Sequence, residues 1–147
     1  MQVSCKYLQM DTKEILKKSK LSLTSHRIEL LSVLSGCDKA ISEKELEHLL
    51  HGNCNRTTIY RNLNSLVEKK IVHRILSGEA VKYKLVSSRK ESGKKFDHVH
   101  FDCQTCNTTF CLEDLAVQDY KLPEGFTKLE NQFIIFGICK NCRHEEE

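Results

Sequence analysis

Apolar positions in the first seventy residues recur at helical spacing, and each run opens on a residue able to cap a helix. Asp11 can cap a short helix reaching Ser19, with Ile15 and Leu16 turned inward. Thr24 can cap a second, in which Ile28, Leu31 and Leu34 share a face and Gly36 marks the end. Ser42 and Glu45 form an S-x-x-E capping box ahead of Leu46, Leu49 and Leu50, with a stop at Gly52. Asn55 can cap a fourth helix carrying Ile59, Leu63, Leu66 and Val67. From residue 71 the pattern changes. Residues 71–76 and 80–86 predict two strands around a turn at Ser77-Gly78. Helices followed by a hairpin give the order of a winged helix-turn-helix, although a small α+β domain unrelated to DNA has the same pattern.

Residues 87–95 contain no apolar side chain and read as a linker. Beyond them, 96–102 and 108–112 predict strands, 113–120 a short helix ended before Pro123, and 131–138 a strand rich in aromatic and β-branched residues. The expectation is an α+β chain: a winged-helix domain at 1–86, a hinge at 87–95, and a second small α/β domain at 96–147.

Composition adds a compartment. No run of about 18 apolar residues is present, so no membrane span is expected. The opening Met1-Gln2-Val3-Ser4-Cys5-Lys6 lacks the apolar core of a secretory signal. A cytoplasmic location follows, where thiols stay reduced and paired cysteines suggest metal rather than disulfides. Charge is uneven. Residues 1–90 hold 17 Lys and Arg against 9 Asp and Glu, a net of +8, whereas 91–147 hold 6 against 11, a net of −5. Such asymmetry suits a nucleic-acid-binding half joined to a half with another task.

Four of the eight cysteines form two C-x-x-C pairs, Cys103/Cys106 and Cys139/Cys142. Two intervening residues let a tight turn aim both sulfurs at one point, and two such turns complete the tetrahedron that zinc accepts. With no open position implied, the site reads as structural. The other reading is a redox dithiol, but that motif would open the helix of a βαβ unit, and neither pair is expected to.

The fourth helix opens Asn55-Arg56-Thr57-Thr58-Ile59-Tyr60-Arg61-Asn62. With Ile59, Leu63 and Leu66 facing the core, Thr57, Tyr60 and Arg61 turn outward. These residue types can meet phosphates, thymine methyls and base edges, and a recognition helix inserts its N-terminal part into the major groove. An ordinary amphipathic helix would also have a polar face. The hairpin and the +8 half favour the DNA reading.

Thr57-Thr58-Ile59-Tyr60-Arg61-Asn62-Leu63 resembles the T-x-Y-R-x-L recognition helix of the ferric uptake regulator family, and Leu23-Thr24-x-x-Arg27 resembles its L-T-x-x-R. His98-x-His100-x-x-Cys103-x-x-Cys106 and Gly137-x-Cys139-x-x-Cys142 resemble its C-terminal half. The resemblance implies a dimerisation role for the second domain and metal-dependent repression at AT-rich inverted repeats by a homodimer on double-stranded DNA. It implies base contact by Tyr60 and DNA contact, chiefly to the backbone, by Arg27 and Arg61. Arg56, Thr57 and Thr58 complete the candidate interface.

His98 and His100 alternate on a strand, so both leave one face, as two corners of a second metal site or as surface histidines. The resemblance makes this a regulatory site, with departures. Ala40 and Lys84 stand where the family takes a histidine and a carboxylate, and Cys111 stands in place of another carboxylate. His98, His100 and Cys111 are therefore the candidate sensory ligands, with Glu113, Cys37 and His73 as candidates for the fourth. Cys111 could equally be a small buried residue. A thiolate with two imidazoles suits Zn2+ better than Fe2+, which more often takes imidazole and carboxylate. Two further readings remain: a thiol- or peroxide-sensing regulator of the same fold, and a zinc-stabilised DNA-binding protein without a sensing role. An enzyme is not expected, since the chain has no H-E-x-x-H, no Ser-His-Asp order and no Gly-rich phosphate loop.

Overall fold

Each predicted helix start in the N-terminal half holds its cap. In the computed structural model, which describes residues 11–78, 80–86, 98–112, 114–129 and 131–143, the Asp11 side chain accepts from Lys13 N at 3.0 Å and opens α1 (Thr12–Lys18). Thr24 Oγ1 accepts from Arg27 N at 3.3 Å and opens α2 (Ser25–Ser35), which ends at Gly36. The capping box closes both ways around α3 (Glu43–Leu49): Glu45 N donates to Ser42 Oγ at 3.2 Å and Ser42 N to Glu45 Oε2 at 2.8 Å. Asn55 Oδ1 accepts from Thr58 N at 2.8 Å and opens α4 (Arg56–Glu68).

The chain divides into two compact units, Met1–Arg89 and Lys90–Glu147. The predicted linker, 87–95, lies outside the described residues, as do Cys5, Glu113 and His144.

The first unit is held by an aliphatic core. Leu16, Leu30, Leu31, Leu34, Ile41, Leu46, Leu50, Ile59, Leu63 and Leu66 are fully buried. Ile15, Ile28 and Val67 pack against its edge. Leu49 departs from expectation and is 42% exposed. On a helix this short, Leu46 and Leu50 lie one turn apart and define the buried stripe, and Leu49 falls beside it. The stop after α3 is sharper than a single glycine: His51 and Gly52 both take left-handed φ, 50° and 73°.

Three strands complete this unit in the order β1-β3-β2: β1 (Ile41–Ser42), β2 (Val72–Ser77) and β3 (Ala80–Leu85). The two-residue β1 was not predicted, because its pairing with Tyr83 and Lys82 is long-range. Gly78 takes the left-handed turn of the hairpin, φ 57°. Register places Val72, Arg74 and Leu76 opposite Leu85, Tyr83 and Val81 on one face. The base of that face, Val72 and Tyr83, joins the helical core.

The second unit is a three-stranded sheet of order β5-β4-β6, with β4 (Val99–Cys103) between antiparallel β5 (Thr109–Leu112) and parallel β6 (Phe133–Gly137), then the short α5 (Lys140–Arg143). The three strands form where the sequence places them, within a few residues of the expected bounds. The helix expected at 113–120 is not present over the described residues 114–120, where Leu115 N closes only a single turn onto Leu112 O at 3.3 Å. Leu115 and Ala116 are exposed, and so short a helix is marginal in water without a face to bury.

Leu63→Ala should remove about 2–5 kcal/mol of stability by opening a cavity in the helical core. Urea unfolding followed by circular dichroism would measure it, with Leu49→Ala as the exposed control that stays within about 1 kcal/mol.

Candidate metal centres and nucleic-acid interface

The two C-x-x-C pairs converge. Cys103 ends β4, and the following turn closes through Asn107 N to Cys103 O at 2.8 Å and Cys103 N to Thr108 O at 3.0 Å. Asn107 adopts φ 55° there, which returns the chain to β5. Cys139 immediately precedes α5 and Cys142 lies within it, where Cys142 N donates to Cys139 O at 3.1 Å. The second pair thus does open a helical turn, contrary to expectation. That turn is only four residues long, and its sulfurs face the first pair rather than forming a separate dithiol.

All four sulfurs lie within 4.8 Å of one another, and Cys106 Sγ to Cys139 Sγ is 3.9 Å. Tetrahedral zinc–thiolate bonds of about 2.3 Å set sulfurs about 3.8 Å apart, so the residues fit the ion. The surroundings already favour charge on part of the set. Backbone hydrogen bonds at Cys106 and then Cys139 lower the Cys103 thiol to about 6, the second including Cys139 N at 3.3 Å from its sulfur. Hydrogen bonds from Thr108 lower Cys106. Cys142 moves upward, because its bond to the Cys139 sulfur and its burial favour the protonated form.

His98, His100 and Cys111 also come together, with donor atoms within 4.8 Å of one another. His98 and His100 are buried, Cys111 is half-buried, and the two rings lie 4.4 Å apart between centroids. Register explains the cluster. His100 sits directly opposite Cys111 across β4 and β5, and His98 leaves the same face two residues earlier. Cys103, an odd number of positions from His100, leaves the other face, where Phe101 and Phe110 pack on the cysteine cluster. One strand thus supplies donors to both of its faces. The sequence reading missed Asp102, next in the same alternation. It is buried and accepts from Thr109 Oγ1 at 2.7 Å and Gln104 Nε2 at 3.3 Å. The H-x-H-x-D spacing was the available signal.

Of the candidate fourth ligands, Glu113 is outside the described residues, and Cys37 and His73 belong to the first unit. Ala40 is buried. Lys84 Nζ donates to Asp38 O at 2.6 Å, so its ammonium has a partner within its own unit.

In the first unit α4 buries Ile59, Leu63 and Leu66 and turns Arg56, Thr57, Tyr60 and Arg61 to solvent. Thr58 is half-exposed beside the cap. Arg56 Nε lies 3.8 Å from Glu43 Oε1. Arg27 is half-buried on α2, and its guanidinium donates to the Ser22 carbonyl at 3.2 Å and to the Ser22 hydroxyl.

The thiol asymmetry has a measurable consequence. Cys103 carries a value below that of a free thiol, so its charge favours the folded unit at alkaline pH, and that contribution is lost as pH falls through about 6. Filling the four-cysteine site with zinc at pH 7.5 should release fewer protons than there are thiols, and the count should rise as pH is lowered through about 6. Indicator-dye titration in weak buffer would check it, and a count that does not change with pH would contradict it.

These features have close parallels. The sequence model of the ferric uptake regulator family matches residues 18–132. A ferric uptake regulation protein of Staphylococcus aureus is 26% identical over 138 residues, which cover 90% of this chain and 96% of that protein. Among solved structures, a zinc uptake regulator in complex with zinc and DNA superimposes with a TM-score of 0.72 at 24% identity, covering 99% of each chain. A Helicobacter pylori ferric uptake regulator with three functional metal-binding sites gives a TM-score of 0.59 at 20% identity, over 89% of this chain and 88% of that one. The family match spans most of the sequence, and the chain therefore belongs to the ferric uptake regulator family: it is a metal-responsive, DNA-binding regulator of transcription and not an enzyme.

Proposed function

We propose that this chain is a homodimeric repressor that binds AT-rich inverted repeats when zinc occupies His98, His100 and Cys111, with a second, structural zinc on Cys103, Cys106, Cys139 and Cys142. The observation that carries the choice of metal is the donor set. Two imidazoles and a thiolate within 4.8 Å of one another, with no carboxylate among them, favour zinc over ferrous iron. The likeness to a zinc uptake regulator is in keeping with this reading.

The roles follow from position. Tyr60 meets base edges and thymine methyls from the outward face of α4, flanked by Thr57 and Thr58. Arg56, Arg61 and Arg27 meet phosphates. The second unit is the dimerisation and sensing domain. Its edge strand β6 exposes Ile135 and Phe136, and Phe126 and Leu129 are 70% and 95% exposed. An unpaired apolar edge of this kind suits a second copy across a two-fold axis. Metal would favour the DNA-competent arrangement to the extent that it binds that arrangement more tightly.

Fluorescence anisotropy with an AT-rich palindrome tests the reading. Zinc should tighten binding by at least about tenfold over chelated protein, the lower range of allosteric coupling. The triple variant H98A/H100A/C111A should lose that response and one zinc per monomer while keeping the other. Iron restoring binding where zinc does not would transfer the assignment to iron. Loss of binding on peroxide treatment at saturating zinc would favour a thiol sensor. A triple variant with unchanged zinc content and response would remove the three residues from the sensory site.

A further inference from the structure

Between the two candidate metal centres lies a buried polar contact that belongs to neither donor set. Asp102 and Thr109 are register partners on β4 and β5, both are buried, and Thr109 Oγ1 donates to Asp102 Oδ1 at 2.7 Å. The other carboxylate oxygen accepts from Gln104 Nε2 at 3.3 Å. Gln104 N in turn donates to Gly137 O, at the end of β6, at 2.8 Å. Asp102 therefore holds one neighbour of β4 directly and reaches the other through Gln104.

The place of this contact in the ladder gives it a consequence. The turn that carries Cys106 closes with Cys103 N on Thr108 O at 3.0 Å. Asp102 and Thr109 form the next rung, and His100 and Cys111 stand two positions further along on the same face. Backbone hydrogen bonds of an antiparallel ladder repeat along it and select no single register. Phe101 and Phe110 pair on the opposite face, but apolar contact is not directional. A buried hydroxyl on a buried carboxylate is directional, and a shifted register draws donor and acceptor apart where little water can replace either. A slip of one residue turns Cys111 to the other face, and a slip of two carries it about 7 Å along β4 from His100.

We propose that Asp102 and Thr109 are a positioning pair for the sensory centre: their hydrogen bond carries the register set at the cysteine turn to the His100–Cys111 rung, and so sets how tightly that centre holds zinc. The inference rests on the assignment of His98, His100 and Cys111 as the sensory ligands and adds to it two residues that do not touch the ion. The pair acts through Cys111, whose sulfur reaches the imidazoles only in this register. Groups that orient metal ligands change metal affinity by about 10–100-fold when they are lost.

The test uses the full chain with its four-cysteine site filled by zinc. The second site is titrated with zinc against a chromophoric chelator, and with Co2+, whose thiolate charge-transfer absorption reports the Cys111 sulfur. T109V removes the hydroxyl at nearly constant shape, and T109S keeps it. T109V should weaken the second zinc by about tenfold and reduce the thiolate–cobalt band, with one zinc per monomer retained on the cysteines. T109S should stay within about threefold of the parent. In a C111A background T109V should change nothing further, which separates positioning from a general loss of packing. T109V that matches the parent, weakens zinc equally with and without Cys111, or sheds the cysteine-bound zinc overturns the inference alone. So does D102N that weakens zinc where T109V does not, which would make Asp102 a charge partner of the ion itself. A parent chain that takes up no second metal overturns the sensory assignment and this inference with it.

Discussion

The second unit depends on four thiols meeting at one point. Cys103 ends β4 and Cys139 follows β6, and these strands are parallel neighbours although some thirty residues separate them in sequence. A parallel pair needs a long crossover, and long closures are entropically unfavourable. Among the described residues the buried apolar cluster of this unit is the cysteines themselves, with Phe101 and Phe110 packed against them. So small a core calls for a staple, and ligation by four thiolates would supply one while coupling folding to metal. Gly137, opposite Cys103, keeps the seam close: a side chain there would meet Phe101 Cζ at 2.9 Å.

That constraint reaches the second cluster through the pleat of one strand. Fixing Cys103 on one face of β4 fixes His98 and His100 on the other, because successive side chains alternate. Pairing with β5 then brings Cys111 opposite His100 and Thr109 opposite Asp102. The donors are buried imidazoles and a half-buried thiol, pre-positioned by backbone pairing rather than by flexible reach. A thiolate at this point, in place of a carboxylate, is the feature on which the proposed preference for zinc rests.

The first unit works on different physics. Its core is aliphatic, its helices are capped at each N-terminus, and a short sheet closes against α2 and α4. Lys84 bonds Asp38 O within this unit, and Ala40 is buried, so these two positions serve the packing of the domain that holds α4. The surface left over at the start of α4 exposes Arg56 and Arg61, the residues proposed to meet phosphates.

Much of this was legible in sequence, for local reasons. Asp11, Thr24, Ser42 with Glu45, and Asn55 each act within about one helical turn, so their caps could be read in order. C-x-x-C spacing is local too, and alternation put His98 and His100 on one face before any fold was known. Tertiary structure decided what required distant pairing. β1 exists only because Tyr83 and Lys82 lie opposite it. The segment 114–120 has helical spacing but buries no face, and so forms no helix. Above all, whether Cys111 lies beside His98 and His100 depended on register: a slip of one residue would have turned it away from His100, and only the β4–β5 ladder fixes that placement.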